Sequence, residues 1–565
     1  MKRKRLKSDS CILFLLLLSI GIFLVGAFQN LHDPLTEWDH VALIAAENWA
    51  RGINSTWLFD HPPLYPAFLT LVFSIFGHCI QYARLANILC VLLTAWIVFR
   101  LTSQLSNRKA GFWALIFYLL SPLCIQGITA LDLADTSLLP LGFTLLCYII
   151  YRTESRSDIL NIGLIGIMVA LCFWAKITST LALVLGLLSY PLIHRHGSSY
   201  QWVKIAIGCT LGICIFLITW IPVSLLLWGE DSCYSVLTTP FSAVIARTTT
   251  GGLLERFSRV GIDFLRIIFW FSPFLLFLFI WKSIALLWTR RKRLYTLGLL
   301  AWTCLFYFFG HILIGGTNWG FPRYHAAILP LLAVLIGILV QPFFSHLTRK
   351  QIGVLLGSLF GILICCLILV NDPLLFLNLT WKERLLSGDR TFLIIRDGMF
   401  QGIIFLGLPL LICPLFIKIF WKSGIKETIL SILIVTSLST IIFVDFKQMY
   451  ASYVTSYQYG AQEKEEVLEM VSQHIKEENI VLTTSELTYD LRDKKVSQIS
   501  WEVWKSPKTI YEAINTMEPD AIIVGLTTHT FQQLRWIFYD PNIQSLLKQY
   551  YLRYNQGTYF FWFRK

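Results

Sequence analysis

The 565-residue chain is 56% hydrophobic, 15% aromatic and only 14% charged, with a mean hydropathy of +0.63. That excludes an ordinary soluble domain, which carries roughly 25% charged residues. Nor does the formal net charge of +13 point to nucleic acid: residues 455–565 hold 12 Lys and Arg against 14 Asp and Glu, so the positive excess lies in short loops of the apolar remainder, where the positive-inside rule puts it.

A spanning helix needs about 20 mostly apolar residues and must satisfy its backbone internally. The first such run, Cys11 to Phe28, follows Lys2, Arg3, Lys4, Arg5 and Lys7. It is long for a signal peptide and no small-residue cleavage site stands out after it, so it reads as a retained helix leaving the cytoplasm. A polar stretch, Gln29 to Pro63, leads to Leu64 to Phe76, which is too short to cross comfortably and reads as a juxtamembrane helix. Further spans are expected at about 82–101, 110–129, 136–151, 158–175, 177–193, 205–228, 263–288, 294–314, 326–344, 352–370, 400–420 and 428–444. About thirteen crossings place every basic short loop, including Arg290 to Arg293, on one side of the bilayer.

From about Gln448 charges become frequent and apolar runs shorten. Ile480 to Thr484, Ala521 to Gly525 and Tyr559 to Arg564 predict strands, and Glu463 to Glu478 and Lys508 to Met517 predict helices. The expected fold class is mainly α: a polytopic membrane helical bundle over residues 1–447, followed by a small extracytoplasmic α/β domain over residues 448–565. Most of the 13 cysteines, such as Cys90, Cys147, Cys172, Cys365 and Cys366, sit inside apolar runs as small hydrophobes. No paired CxxC has zinc spacing, so no metal or redox site is read.

Chemistry is expected on the face opposite the cytoplasm. The first outside loop holds Glu37 and Asp39 beside Trp38 and His40. A partly desolvated carboxylate there has a raised pKa and suits a general base, while Thr36 or Asp39 as a helix cap explains the same residues without chemistry. His61-Pro62-Pro63-Leu64-Tyr65 then stiffens the approach to the juxtamembrane helix. Asp135 stands at the mouth of a span, where an acid is costly and functional by default, or else caps the helix. Lys176 breaks an apolar stretch and suits a phosphate ligand, or else snorkels to the interface. Arg323, beside Tyr324, puts a guanidinium on the outer face against the charge trend; Arg84 is a weaker instance. Both fit a phosphate or a lipid headgroup.

These positions resemble the polytopic GT-C glycosyltransferases, specifically the dolichyl-phosphate-mannose protein mannosyltransferase and bacterial aminoarabinose transferase family. The resemblance rests on the acidic first loop with Ile44, Ala45, Glu47 and Gly52, on His61 to Tyr65 and Phe76-Gly77, on Ala83-Arg84-Leu85, and on Ser121-Pro122, Asp135, Lys176 and Arg323-Tyr324 followed by Pro330. It covers about residues 30–345 and implies transfer of a sugar from a polyprenyl-phosphate donor to an extracytoplasmic acceptor, with a first-loop acid as base. Where the family shows Asp-Glu, this chain has Glu37-Trp38 with Asp39 next, so Glu37 is the positional match and Asp39 the alternative; the family's Lys before Pro-Pro is His61. The resemblance implies that Lys176, Arg323, Arg84 and His61 hold the donor phosphate, with Asp135 as a second acid and Tyr65 and Tyr324 nearby. Fixed cations can stabilise the departing phosphate, so no cofactor is required, and a divalent metal is left open.

Two other classes compete: a lipid or solute transporter, which calls for mid-helix acids and inverted repeats, and a lipid-linked oligosaccharide polymerase or ligase, which calls for paired arginines in a large outside loop. The expected location is a plasma or endoplasmic-reticulum-type membrane with a cytoplasmic N-terminus, membrane lipids around the bundle and no nucleic-acid partner.

Overall fold

The computed structural model describes residues 2–31, 39–53, 62–128, 134–155, 159–193, 199–228, 273–288, 295–313, 323–344, 348–369, 412–419, 424–451, 464–483, 485–498, 506–525, 537–556 and 559–565, with short stretches and isolated positions between them. The bundle comprises α1 (Lys2–Asn30), α2 (Asp39–Ala50), α3 (Leu64–Phe76), α4 (Ile80–Leu105), α5 (Arg108–Leu119) and the short α6 (Pro122–Gln126). A 3-10 turn (Ala134–Thr136) leads into α7 (Leu138–Ser155), α8 (Ile159–Ala175), α9 (Ile177–Ile193), α10 (Ser199–Trp228), α11 (Pro273–Trp288) and α12 (Tyr295–Leu313). The short α13 (Arg323–Ala326), α14 (Leu329–Phe344), α15 (Arg349–Leu369) and α16 (Ile425–Ala451) complete it.

Among the described residues, six helical stretches are long and apolar enough to cross a membrane: Ile12–Gln29, Ile80–Leu105, Trp202–Leu227, Thr296–Leu313, Lys350–Ile368 and Glu427–Phe446. Shorter apolar helices, α3 and α14 among them, fill in between. The helix expected over Leu64 to Phe76 forms with those bounds, as α3. The span expected at 110–129 is broken at Ser121-Pro122, where α5 ends and α6 begins, because proline cannot donate into the preceding turn. Of the span expected at 400–420, residues 412–419 are helical and most of the rest lies outside the described residues.

Hydrocarbon tails offer no hydrophobic drive between helices, so contact is made by close approach of small residues. A Cβ at Gly337 of α14 would stand 2.6 Å from the Ala110 carbonyl oxygen and 2.8 Å from the Ala114 Cβ of α5. One at Gly212 of α10 would stand 2.6 Å from the Gly166 carbonyl oxygen of α8. Polar side chains along the helices return their hydrogen bonds one turn back, as Thr94 does to the Cys90 carbonyl at 2.7 Å.

The C-terminal segment runs α17 (Lys464–His474), β1 (Ile480–Thr483), α18 (Ser485–Thr488), β2 (Lys495–Gln498), α19 (Pro507–Met517), β3 (Ala521–Gly525), α20 (Pro541–Tyr550), β4 (Tyr551–Gln556) and β5 (Tyr559–Arg564). The strands form one sheet in the order β2-β1-β3-β5-β4, parallel across β2-β1-β3 and antiparallel across β3-β5-β4. The two-residue period sends Leu482, Ile522, Val524 and Trp562 to a layer shared with Ile510 of α19 and Leu547 of α20. Val481, Ile523 and Phe561 meet Val467 and Val471 of α17 on the other face. Ser506, in a capping box with Thr509, starts α19, and Asp540 before Pro541 starts α20.

Candidate functional site

Four elements that the sequence separates widely meet around residues 128–135. Asn87 of α4 donates from Nδ2 to the Ile128 carbonyl at 3.1 Å, and its Oδ1 accepts from the Tyr65 hydroxyl of α3 at 3.0 Å. Both side chains are buried. Asp39, the first residue of α2 and fully buried, accepts the Leu131 amide at Oδ1 over 2.8 Å. A carboxylate at a helix N-terminus also gains from the aligned backbone dipoles. Arg84 is 1% exposed and donates from Nη1 to the Leu31 carbonyl at 3.0 Å, tying α4 to the end of α1.

Lys176 is the single residue between α8 and α9. The backbone turns through it, with its amide bonded to the Cys172 carbonyl at 2.8 Å and its carbonyl accepting from Thr180 at 3.1 Å. Its ammonium lies 2.8 Å from Asp135 Oδ2, with side-chain exposures of 5% and 1%, so it does not snorkel to water. The same ammonium lies 4.3 Å from the centre of the Tyr324 ring, a cation–π distance. The Tyr307 hydroxyl of α12 donates to the Tyr324 carbonyl at 2.7 Å. His311, one turn further along α12, stacks near-parallel on the Tyr324 ring with centroids 5.8 Å apart. His325 bonds through Nε2 to the Phe308 carbonyl at 3.1 Å, and burial pulls its pKa down to about 4, so it is neutral at ordinary pH.

Of the residues singled out by sequence, Asp135, Lys176 and Tyr324 are thus in mutual contact or linked through Lys176, and Asp39 joins the adjoining turn through Leu131. Tyr65 touches that turn through Asn87, and Arg84 is engaged by Leu31. Glu37 and His61 lie outside the described residues; Arg323 opens α13, with its side chain outside them. Asn87, Tyr307, His311 and His325 escaped the sequence reading. The available signal was an Asn or His inside an otherwise apolar run, which in a membrane is costly unless it has work to do. Among the described residues no three His, Cys, Asp or Glu side chains gather as a metal cage.

The chain's similarity to known proteins falls on the same region. The sequence model of the family described as dolichyl-phosphate-mannose-protein mannosyltransferase matches residues 60–225, which include Tyr65, Arg84, Asp135 and Lys176. The fold matches the crystal structure of ArnT from Cupriavidus metallidurans bound to undecaprenyl phosphate, with a TM-score of 0.59, 13% identity and 97% of each chain covered. It matches the apo state of that protein with a TM-score of 0.57 at the same identity and coverage. No curated protein matches the sequence significantly. The resemblance read from the sequence is thus met on two counts: residues 60–225 are similar to the mannosyltransferase family model, and the fold is ArnT-like.

Proposed function

We propose that this chain, built on a GT-C membrane fold, is an inverting glycosyltransferase that takes a sugar from a polyprenyl phosphate and passes it to an acceptor hydroxyl on the non-cytoplasmic face. One observation carries the reading: a buried lysine held by a buried aspartate beside the outer turn that also receives a first-loop carboxylate. The acceptor oxygen forms a bond to the anomeric carbon, the bond from that carbon to the phosphate oxygen breaks, and the acceptor proton passes to Asp39 or Glu37 as general base. Charge accumulates on the departing phosphate. Lys176, oriented by Asp135 and Tyr324, meets it in a water-poor setting where a fixed cation acts strongly, and Arg323 and His61 add to the same field. Arg84 ties down the chain leading into the first loop. A metal is not needed for these roles.

In this reading the chain crosses the bilayer thirteen times from a cytoplasmic N-terminus, and residues 448–565 lie outside. An ion pair between Arg492 and Glu47 of α2 supports that placement, since it sets the C-terminal segment on the same side as the first loop.

The test is transfer of radiolabel by purified protein from polyprenyl-phosphate sugars to an added membrane extract. One of Glu37→Gln and Asp39→Asn, and the two together, are expected to remove transfer while leaving donor binding. Undiminished transfer by the double variant defeats the assignment of the base, and no transfer by wild-type protein from any such donor defeats the reaction.

A further inference from the structure

Helix α2 carries Asp39 at one end and Glu47, two turns on, at the other. The Glu47 carboxylate is 4% exposed, far more buried than a solvated helix-surface acid. Its nearby partner, Arg51, one residue past the helix, is 51% exposed, and such an i,i+4 pair holds little. The second partner arrives from 445 residues away: Arg492 Nε stands 2.9 Å from Glu47 Oε2.

Arg492 is itself held in place. The chain turns tightly after α18, with the Leu491 amide on the Leu487 carbonyl at 3.0 Å and the Arg492 amide on the Tyr489 carbonyl at 3.4 Å. Arg492 Nη1 donates to the Tyr489 carbonyl at 2.9 Å, and its guanidinium carbon lies 4.3 Å from the centre of the Tyr489 ring. Tyr489 is 2% exposed and packs into the apolar cluster of the membrane bundle rather than into either layer of the C-terminal sheet. A guanidinium stacked and hydrogen-bonded in this way loses little freedom when it pairs with a carboxylate.

We infer that the C-terminal segment acts as a strut: Arg492, seated on Tyr489, grips Glu47 and fixes the position of α2 and thereby of the carboxylates at its start. Helix α2 is pinned near one end by the Leu131 amide on Asp39 and near the other by Arg492 on Glu47. Eight residues separate the pins, about 12 Å at 1.5 Å per residue. Freeing one end lets the helix tilt, and about 5° over that length displaces one end against the other by about 1 Å, enough to cost on the order of a hundredfold in a rate set by geometry. Arg492 and Glu47 are therefore positioning residues, acting through α2 on the reaction proposed above, on which the kinetic half of the test rests.

Arg492→Gln and Glu47→Gln are each expected to lower kcat at least about tenfold with the donor KM within about twofold, and the double variant to be no worse than the worse single one, because both remove one interaction. Backbone amides of residues 39–50 are expected to exchange hydrogen faster in both variants, and Arg492→Lys to recover part of kcat and of the protection. Arg564→Gln, which removes an exposed pair between β5 and Glu518 at the end of α19, is the control and is expected to change neither readout. Unchanged exchange over 39–50, or kcat lost equally in the control, overturns the strut. If wild-type protein transfers nothing from any polyprenyl-phosphate sugar, the proposed reaction fails while the exchange measurement decides the strut by itself.

Discussion

Lys176 and Asp135 meet at 2.8 Å although 41 residues separate them, and both side chains are almost wholly buried. Two charges in so dry a place remain tolerable because each neutralises the other, and the Tyr324 ring offers the ammonium a second electron-rich face.

Removing one partner leaves the other charge stranded. Lys176→Gln and Asp135→Asn should each destabilise the protein by about 3–5 kcal/mol, and the double variant by less than the two together. Thermal unfolding in detergent measures this. Both single variants should also lose transfer, and the double variant should regain stability without regaining transfer. Recovery of both would reduce the pair to a structural tie.

Tyr324 separates ring from hydroxyl. Tyr324→Phe keeps a face for the Lys176 ammonium and should leave donor affinity within about threefold, whereas Tyr324→Ala should weaken it by about 1–2 kcal/mol, the range of a desolvated cation–π contact. Titration with a fluorescent polyprenyl phosphate distinguishes them. Equal losses in the two variants would assign the effect to the hydroxyl instead.

At Asp39 the two readings, cap and base, part company. Asp39→Asn keeps an oxygen to accept the Leu131 amide, while Asp39→Ala removes it. Stability should fall by under about 1 kcal/mol in the first and about 1–3 kcal/mol in the second, the cost of an unsatisfied buried donor. If Asp39 is the base, both variants lose on the order of 100-fold or more in transfer. If only the alanine variant is impaired, Asp39 is a tie and Glu37 takes the role.

How much of this was legible in the sequence follows from what periodicity and hydropathy encode. Helix α3 and the strands β1, β3 and β5 stood out, because an apolar run reports its own length. Strands β2 and β4 did not: Lys495–Gln498 and Tyr551–Gln556 are edge strands with polar residues, and an edge needs no apolar signature. Asp135 and Lys176 each showed as a polar break at a span's end, which gives depth in the membrane but not direction around the bundle. Their meeting depends on how α7, α8 and α9 pack, and hydropathy carries no such information. The Arg492–Glu47 contact was illegible for the same reason, 445 positions apart.

The last expectation concerns pH. Burial holds the His325 pKa down at about 4 against an ordinary value of 6.5, with the Phe308 carbonyl opposing the shift. Between those two values the unfolded chain binds the proton and the folded chain does not, so stability from this residue is full above about pH 6.5 and is lost as pH falls toward 4. The contribution is on the order of 3 kcal/mol. His325→Gln retains an N–H for the Phe308 carbonyl and removes the titration. Its unfolding temperature should therefore fall less than that of wild-type protein between pH 7 and about 4.5, the two curves separating below about 6.5. His311, whose ring lies 5.8 Å from that of His325, is electrostatically coupled to it, so the same comparison is made in a His311→Gln background, where the difference between the curves reports His325 alone. Parallel curves would mean that His325 titrates in the fold as it does in the unfolded chain, so that below about pH 6.5 it would set a second cation in the cluster that surrounds Tyr324 and Lys176.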